Sequence, residues 1–425
     1  MILSLGLDIG TTKSACVVRD TADDKLLFCR SLIHNASLGD GVQSVKKHRE
    51  VLHELISAIP ENLRKDIETI GVTGQMHGVL CWNEVETTEL FTWQSQVEEL
   101  AEIQKIDSTL QNGFGITTLA SLSLKGFDFS KYRYSGTIHD YAVYLFCGKS
   151  VIDYTDAASF GAYDIEKNCF KEDVIKKLNI PEKILPDVVA VGSVVGETCN
   201  FPNLKDGIKV MAAIGDNQAS VFASCSNMRD ELFLTIGTGI QLSGVVDKIV
   251  DEVEIRPFVD GKFLAVASPL CGGAAWAWLE KFIKGTINLL GVKELSDEEI
   301  YKFMDEVALK EISSTDLPRI MPNFLGERGE INLRGSITNL TLDNFSIGKI
   351  AAALALGIIK NLFNMMPEAV WQSKKSLIAS GNAIRKSTAL QQACRKISRM
   401  NPILIESCEE AAQGAAKLSE RLVDR

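Results

Sequence analysis

The chain has 425 residues, 46% of them hydrophobic and 24% charged, which is ordinary globular usage and excludes a disordered chain. Lys and Arg total 45 against 55 Asp and Glu, a net charge of −10, which argues against a general binder of nucleic-acid backbones or anionic membranes. At about 150 residues per domain the length suits two or three domains, large enough to bury a core without disulfides or metals.

In chain order, residues 1–10 are apolar but lack a basic n-region and are interrupted by Asp8, so they do not read as a signal peptide. Residues 2–9 and 12–18 read as strands meeting at a Gly-Thr-Thr turn. A helix is expected over 44–59, with Val51, Leu52, Leu55, Ile56 and Ile59 on one face and Pro60 stopping it. Strands are expected at 67–72, 208–214 and 376–379, and a strongly apolar helix at 347–363. Ser296-x-x-Glu299 and Ser407-x-x-Glu410 each resemble a capping box. The most apolar uncharged stretch, 263–279, is broken by Pro269, Gly272 and Gly273 and is short of a bilayer span. Strand-like and helix-like runs alternate throughout, so the fold class is α/β. The ten cysteines are scattered without a CxxC pair, the pattern of a reduced, cytoplasmic chain whose thiols serve as small core residues.

An internal echo organises the chain. LGLDIGTTKSACVV (5–18) aligns without gaps with LFLTIGTGIQLSGV (232–245), with six identities in fourteen positions. Both segments read strand, Gly-Thr turn, strand. The offset of 227 residues implies two similar domains, 1–227 and 228–425.

A Gly-Thr turn offers backbone N–H groups and a hydroxyl with no bulk in the way, which suits phosphate oxygens. Gly10, Thr11 and Thr12 form one such turn, Gly237 and Thr238 the other. Asp8, just before the first, is placed to hold Mg²⁺ directly or through water, whereas its counterpart Thr235 is not. The plainer alternative is a pair of tight hairpins. Asp216 follows an apolar strand and opens an expected helix, either as a site carboxylate at a strand's C-terminal edge or as a helix cap. Polar residues cluster at 73–78, at 92–94 and at 136–141, a mixture of donors, acceptors and an aromatic plate that suits a polyhydroxylated ligand. His139–Asp140 lacks a third metal ligand at suitable spacing. The loop 379–383 has a glycine that would let a flat base approach the backbone. A GxxxxGK[ST] loop, HExxH and GxSxG are absent, and Leu242 stands where a dinucleotide fingerprint starting at Gly237 needs its third glycine.

Together these segments resemble the FGGY carbohydrate kinases over nearly the whole chain. DIGTT (8–12) and TIGTG (235–239) are similar to the family's two phosphate loops, and GDNQAS (215–220) to the segment with its catalytic Asp. GVTGQMHG (71–78) resembles the sugar-binding strand end of the ketose kinases. TWQ (92–94), GFG (113–115), TIHDY (137–141) and LCG (270–272) are closer to the heptulose branch. LGER (325–328), SGNA (380–383) and AAQGAA (411–416) fall where the family has its lid, adenosine loop and closing helix.

The resemblance implies two duplicated actin-like (ribonuclease-H-like) ATPase domains, a sugar-binding N-terminal and a nucleotide-binding C-terminal one, with the active site in the interdomain cleft. It implies transfer of the γ-phosphoryl group of ATP to the terminal hydroxyl of a ketose, sedoheptulose first. Xylulose, ribulose or a non-catalytic sugar sensor are the alternatives. Asp216 would be the catalytic base, and Gln75, Met76, His77, Trp93, Asp140 and Asn217 would bind sugar. Gly10, Thr11, Thr12, Lys13, Gly237, Thr238, Gly381 and Asn382 would bind ATP, and Asp8 with Asp216 would hold Mg²⁺. A cytoplasmic monomer or homodimer with no nucleic-acid or membrane partner is expected. The sequence departs from the family at Ala15, where relatives carry a basic residue. Lys13 stands two positions earlier and shares a strand face with it. The segment between His77 and Trp93 is short, and Glu327-Arg328-Gly329 lacks the proline often found nearby.

Overall fold

The computed structural model describes residues 2–237, 239–291, 295–327, 330, 332–405 and 408–422. Thr238, Arg328, Gly329 and Ser407 lie outside these. The chain forms two compact units. The first comprises Met1–Ser224, Pro257–Gly261 and Ser407–Arg425, the second Cys225–Arg256 and Lys262–Glu406.

The first unit holds β1 (Leu3–Ile9), β2 (Lys13–Asp20), β3 (Lys25–Ile33), α1 (Val45–Ser57), β4 (Ile67–Gly74), α2 (Ile138–Cys147), α3 (Tyr154–Phe160), β5 (Val194–Glu197), β6 (Lys209–Met211), β7 (Ile214–Gly215) and α4 (Asp216–Ser224). Its sheet runs β5-β6-β4-β1-β2-β3, with β7 also on β4. β1, β2 and β3 pair antiparallel, while β4 is parallel to β1, β6 and β7.

The second unit holds β8 (Glu231–Ile236), β9 (Ile240–Val246), β10 (Glu254–Pro257), β11 (Phe263–Ala267), α5 (Gly273–Leu289), α6 (Asp297–Glu311), α7 (Ile347–Asn364), β12 (Ser376–Ser380), α8 (Asn382–Lys386), α9 (Thr388–Ser398) and β13 (Pro402–Leu404). Its sheet runs β10-β11-β9-β8-β12-β13, again an antiparallel meander continued by parallel strands. The final helix, α10 (Glu410–Glu420), returns to the first unit.

The echoed segments thus occupy equivalent places, β1–β2 and β8–β9. Their turns differ in length. Ile9 pairs with Ser14 across four residues, whereas Ile236 pairs with Ile240 across three. The gapless alignment therefore misplaces the second strand by one residue, enough to exchange its two faces.

Alternation along β1 explains the packing around the first turn. Leu3, Leu5, Leu7 and Ile9 enter one core with Leu52, Leu55 and Ile56 of α1. Ser4 and Gly6 face the other way, onto α10. Ser4 Oγ donates to Glu420 Oε1 at 2.8 Å, and a Cβ on Gly6 would lie 2.0 Å from the Ala412 carbonyl oxygen. On β2, Val17 packs against Ala412 and Ala416, and Arg19 binds Glu420 and Gln413. The small residues of AAQGAA exist for this approach: Gly71 meets the Ala415 carbonyl and Gly414 meets that of Ala219. Burial of this alanine face draws the last helix away from the second half of the sequence.

Other expectations need adjustment. The 208–214 strand is broken into β6 and β7, because Ala212 gives its N–H to Ser193 O between them. Ser296 and Glu299 do close a capping box. Glu410, by contrast, is the first residue of α10, preceded by Glu409 at φ 53°, so it does not hold the third helical position that a box requires. Not all cysteines stand apart: the Sγ atoms of Cys29 on β3 and Cys408 lie 2.50 Å from each other. Cys16, Cys81 and Cys394 are core residues, and burial pushes each thiol up to about 12. Helix α7 is long and apolar enough to cross a membrane, but Ile350–Ala355, Ile358, Ile359, Leu362 and Phe363 are buried in the second unit.

Candidate active site

Parallel pairing brings the first phosphate-like turn beside the polar segment after β4. Ile9 is level with Gly74, and Gln75 N–H donates to Ile9 O at 3.0 Å. The Gly10 N–H is consumed by Lys13 O at 3.1 Å, so donors to an anion at this turn must come from residues after it. His34 Nε2 donates to Gly10 O, because its Nδ1 already accepts from Ala36 N–H.

Side chains close a ring beneath the turn. Thr11 Oγ1 donates to Gln75 Oε1 at 3.3 Å, Gln75 Nε2 donates to Gln43 Oε1 at 2.9 Å, and Gln43 Nε2 donates to Thr11 O at 2.8 Å. His48 Nε2 adds a second hydrogen bond to Gln43 Oε1 at 2.9 Å. Burial, with His34 nearby, holds the His48 pKa down to about 3, so its ring is neutral. Trp93 is 47% exposed, and its Nε1–H donates to Thr11 Oγ1 at 2.9 Å. A Cβ on Gly113 of the GFG segment would lie 2.0 Å from Trp93 O, so glycine there lets the two loops touch.

His77 adopts φ 76°, a left-handed conformation costly for a residue with a side chain. It is held by Ser159, whose Oγ accepts from His77 N–H and whose carbonyl accepts from Nδ1 at 2.8 Å, and by Phe114, stacked at 4.9 Å. Nδ1 therefore carries a proton. Met76 is buried against Gly215: a Cβ there would meet Met76 Cε at 2.6 Å.

Asp216 opens α4 as its first residue, at the end of β7, where Gly215 pairs with Gly74. Asp216 therefore stands at the positive end of the helix, its backbone next in register to the Gln75-Met76-His77 segment. Thr155 Oγ1 accepts the Gly215 N–H at 2.9 Å and anchors this strand end. Asn217 follows in the first helical turn, half-buried like Asp216. Asp8, on the α10 face of β1, has an enclosed and unpartnered Oδ1. Burial, then the charges of Asp216 and Glu409, push it up to about 7, against an opposing pull from Lys13.

Beneath Asp216 lies a buried acidic group. His139 Nε2 and Asp156 Oδ2 are 2.8 Å apart, both fully buried. Asp140 Oδ2 accepts from Thr137 N–H and Oγ1, closing the capping box of α2. Burial raises Asp140 to about 7 and raises Asp153 and Asp156 as well. Folding sets Asp156 beside the His139–Asp140 pair, and atoms of all three lie within 4.8 Å of one another. Asp140, expected on the sugar, is 1% exposed and serves as a helix cap.

In the second unit, β8 and β12 pair in parallel, which sets Thr235 Oγ1 3.1 Å from Ser380 Oγ. Gly381, at φ 95°, lies against the second turn: a Cβ there would be 2.4 Å from Ile236 O and 3.1 Å from Gly237 N. Asn382 opens α8 and accepts from Arg385. The structure thus gathers Gly237, Gly381 and Asn382. In the first unit it gathers Asp8, Thr11, Gln75, Met76, His77, Trp93 and Asp216. No local pattern singles out Gln43, His48, Ser159 or Asp156, whose contributions arise only from tertiary contacts, whereas Phe114 lies in the GFG segment.

The family model described as the FGGY family of carbohydrate kinases, N-terminal domain, matches residues 3–223. The chain is 29% identical to sedoheptulokinase of Homo sapiens, with 97% of this chain and 96% of that protein aligned. It is 21% identical to a xylulose kinase of Staphylococcus xylosus over 80% of the chain and 74% of that protein. Among solved structures, a xylulose kinase from Rhodospirillum rubrum superposes with a TM-score of 0.86 at 19% identity, covering 98% of this chain and 89% of that one. A gluconate kinase from Lactobacillus acidophilus gives 0.83 at 20% identity, covering 99% and 89%. These likenesses carry the two-domain actin-like ATPase fold. The chain belongs to the FGGY family of carbohydrate kinases, and is a phosphotransferase with an alcohol group as acceptor.

Proposed function

We propose that this kinase transfers the γ-phosphoryl group of ATP to the terminal hydroxyl of a ketose, sedoheptulose giving sedoheptulose 7-phosphate, with Asp216 as the base. The observation that carries the reading is the pairing of Gly215 with Gly74, which sets Asp216 beside Gln75, Met76 and His77. The likeness to sedoheptulokinases of man and mouse, both 29% identical, supports the sugar.

Phosphoryl transfer through a loose transition state needs positioning and charge stabilisation more than covalent chemistry. Asp216 would accept the hydroxyl proton late, once the sugar oxygen has begun to bond to phosphorus, so a weak base suffices. Gln75, Met76, His77, Trp93, Asp140 and Asn217 would orient the ketose. Thr11, Thr12 and Lys13 would donate to phosphate oxygens, while Gly10, Gly237, Gly381 and Asn382 would let the nucleotide approach the backbone.

The residues around Asp8 fit a magnesium ion: an enclosed carboxylate oxygen without a partner, and mutually repelling acids that a cation would relieve. Asp8 and Asp216 would hold it, directly or through water, and Mg²⁺ there would neutralise charge building on the transferred group. Dependence on ATP suits a cytoplasmic enzyme.

The test is ADP release over C5–C7 ketoses and glycerol, with product identification by NMR. Sedoheptulose should give the highest kcat/KM and a 7-phosphate. Xylulose well above sedoheptulose would move the substrate to the pentulose branch, and sugar binding with no ADP release would leave a sensor.

A further inference from the structure

The Thr11 hydroxyl has one proton to give, and the ring around it shows where that proton goes. Trp93 Nε1–H can only donate, so Thr11 Oγ1 must accept at that contact, 2.9 Å away. Its own proton is then directed to Gln75 Oε1 at 3.3 Å. Gln75 cannot turn its amide to avoid this. Its Nε2 is committed to Gln43 Oε1, and Gln43 is fixed in turn by His48 and by its bond to Thr11 O. Gln75, Gln43 and His48 are 2%, 5% and 3% exposed, so this part of the ring is closed to solvent. Thr11 is its outlet toward the phosphate-like turn, and Gln75 its outlet toward the sugar segment.

We infer that the Thr11 hydroxyl is a two-position donor that couples nucleotide binding to ketose binding. The inference rests on the functional reading above. With no nucleotide, the hydroxyl donates to Gln75 Oε1 and competes with a sugar hydroxyl for that acceptor. When a phosphate oxygen accepts that hydrogen bond instead, Gln75 Oε1 is left buried without a donor, a costly state that a ketose hydroxyl relieves. Each ligand therefore prepares the site for the other, and the linkage is reciprocal. Trp93 remains a donor to Thr11 in both positions and keeps the hydroxyl aimed along this line.

The experiment is calorimetric titration of the intact protein with sedoheptulose, with and without saturating MgADP. In the wild type MgADP should tighten sugar binding about fivefold or more. In Thr11→Val the coupling should fall below about twofold, with the sugar-only affinity rising toward the value the wild type reaches with MgADP. Thr11→Ser, which keeps the hydroxyl, should keep the coupling and controls for folding. Equal sugar affinity with and without MgADP in the wild type, or undiminished coupling in Thr11→Val, overturns the inference while leaving the kinase reading intact. Failure of the wild type to bind any C5–C7 ketose, with or without MgADP, overturns that reading and the inference with it.

Discussion

Lys13 Nζ lies 2.5 Å from Glu409 Oε1, joining the strand that follows the first phosphate-like turn to the residue just before the last helix. The contact follows from alternation along β2. Residues 13, 15 and 17 share a face, and Val17 on that face packs against Ala412 and Ala416 of α10. Lys13 is half exposed and Glu409 mostly enclosed, so the lysine is the partner with freedom to leave. Lys13→Ala should raise KM for ATP by about tenfold with little effect on KM for the ketose. Glu409→Gln should leave KM for ATP unchanged or lower it, because the lysine is released. An unaltered KM for ATP in Lys13→Ala removes that residue from the phosphate site.

Asp8 is the only one of the paired pre-turn positions that carries a charge, Thr235 being its counterpart. Asp8→Ala should increase the Mg²⁺ concentration needed for half-maximal rate. Titration of activity with Mg²⁺ decides the matter, and an unchanged dependence would count against metal placement there.

The close seat of α10 makes a stability prediction. A Cβ on Gly71 would lie 1.9 Å from the Ala415 carbonyl oxygen, and the obstacle is backbone on both sides. Gly71→Ala should destabilise the protein by about 3 kcal/mol or more, at the upper end for overpacking. Equilibrium unfolding in urea measures it. A loss under about 0.5 kcal/mol would mean that α10 can move away from the sheet without penalty.

His48 links the ring to acid stability. Burial keeps its folded pKa near 3, below the ordinary 6.5 of the unfolded chain. Between those values the unfolded state binds a proton that the folded state does not, so stability falls as pH drops from about 6.5 toward 3. His48→Gln preserves a donor to Gln43 Oε1 but cannot titrate. Its stability curve should be flatter than the wild-type curve over that window, by at most about 1.4 kcal/mol per pH unit. Parallel curves would show that His48 is charged in the folded protein.

How much of this was legible in the sequence depends on the range of the interaction. The strand at 2–9, the amphipathic helix expected over 44–59 and the Ser296–Glu299 box are local, and all three appear in the structure, the helix as Val45–Ser57. The duplicated turn was legible too, though not its one-residue shortening, because pairing register is set across strands. Thr137-x-x-Asp140 is also a capping pattern, and Asp140 Oδ2 closes that box while Oδ1 has no partner. Gln43, Ser159 and Asp156 are ordinary polar residues until folding sets them beside Thr11, His77 and His139. The return of α10 was hidden for the same reason: an alanine-rich stripe does not name the glycines it will meet.

Asp216→Asn, compared with the wild type for both ketose affinity and turnover, tests the central claim most directly. The substitution keeps shape and removes the basic oxygen. Sugar affinity should remain within a few-fold, while kcat should fall by about 10²–10⁴. Wild-type turnover in Asp216→Asn would contradict the account, because the group assigned to accept the hydroxyl proton would then be dispensable.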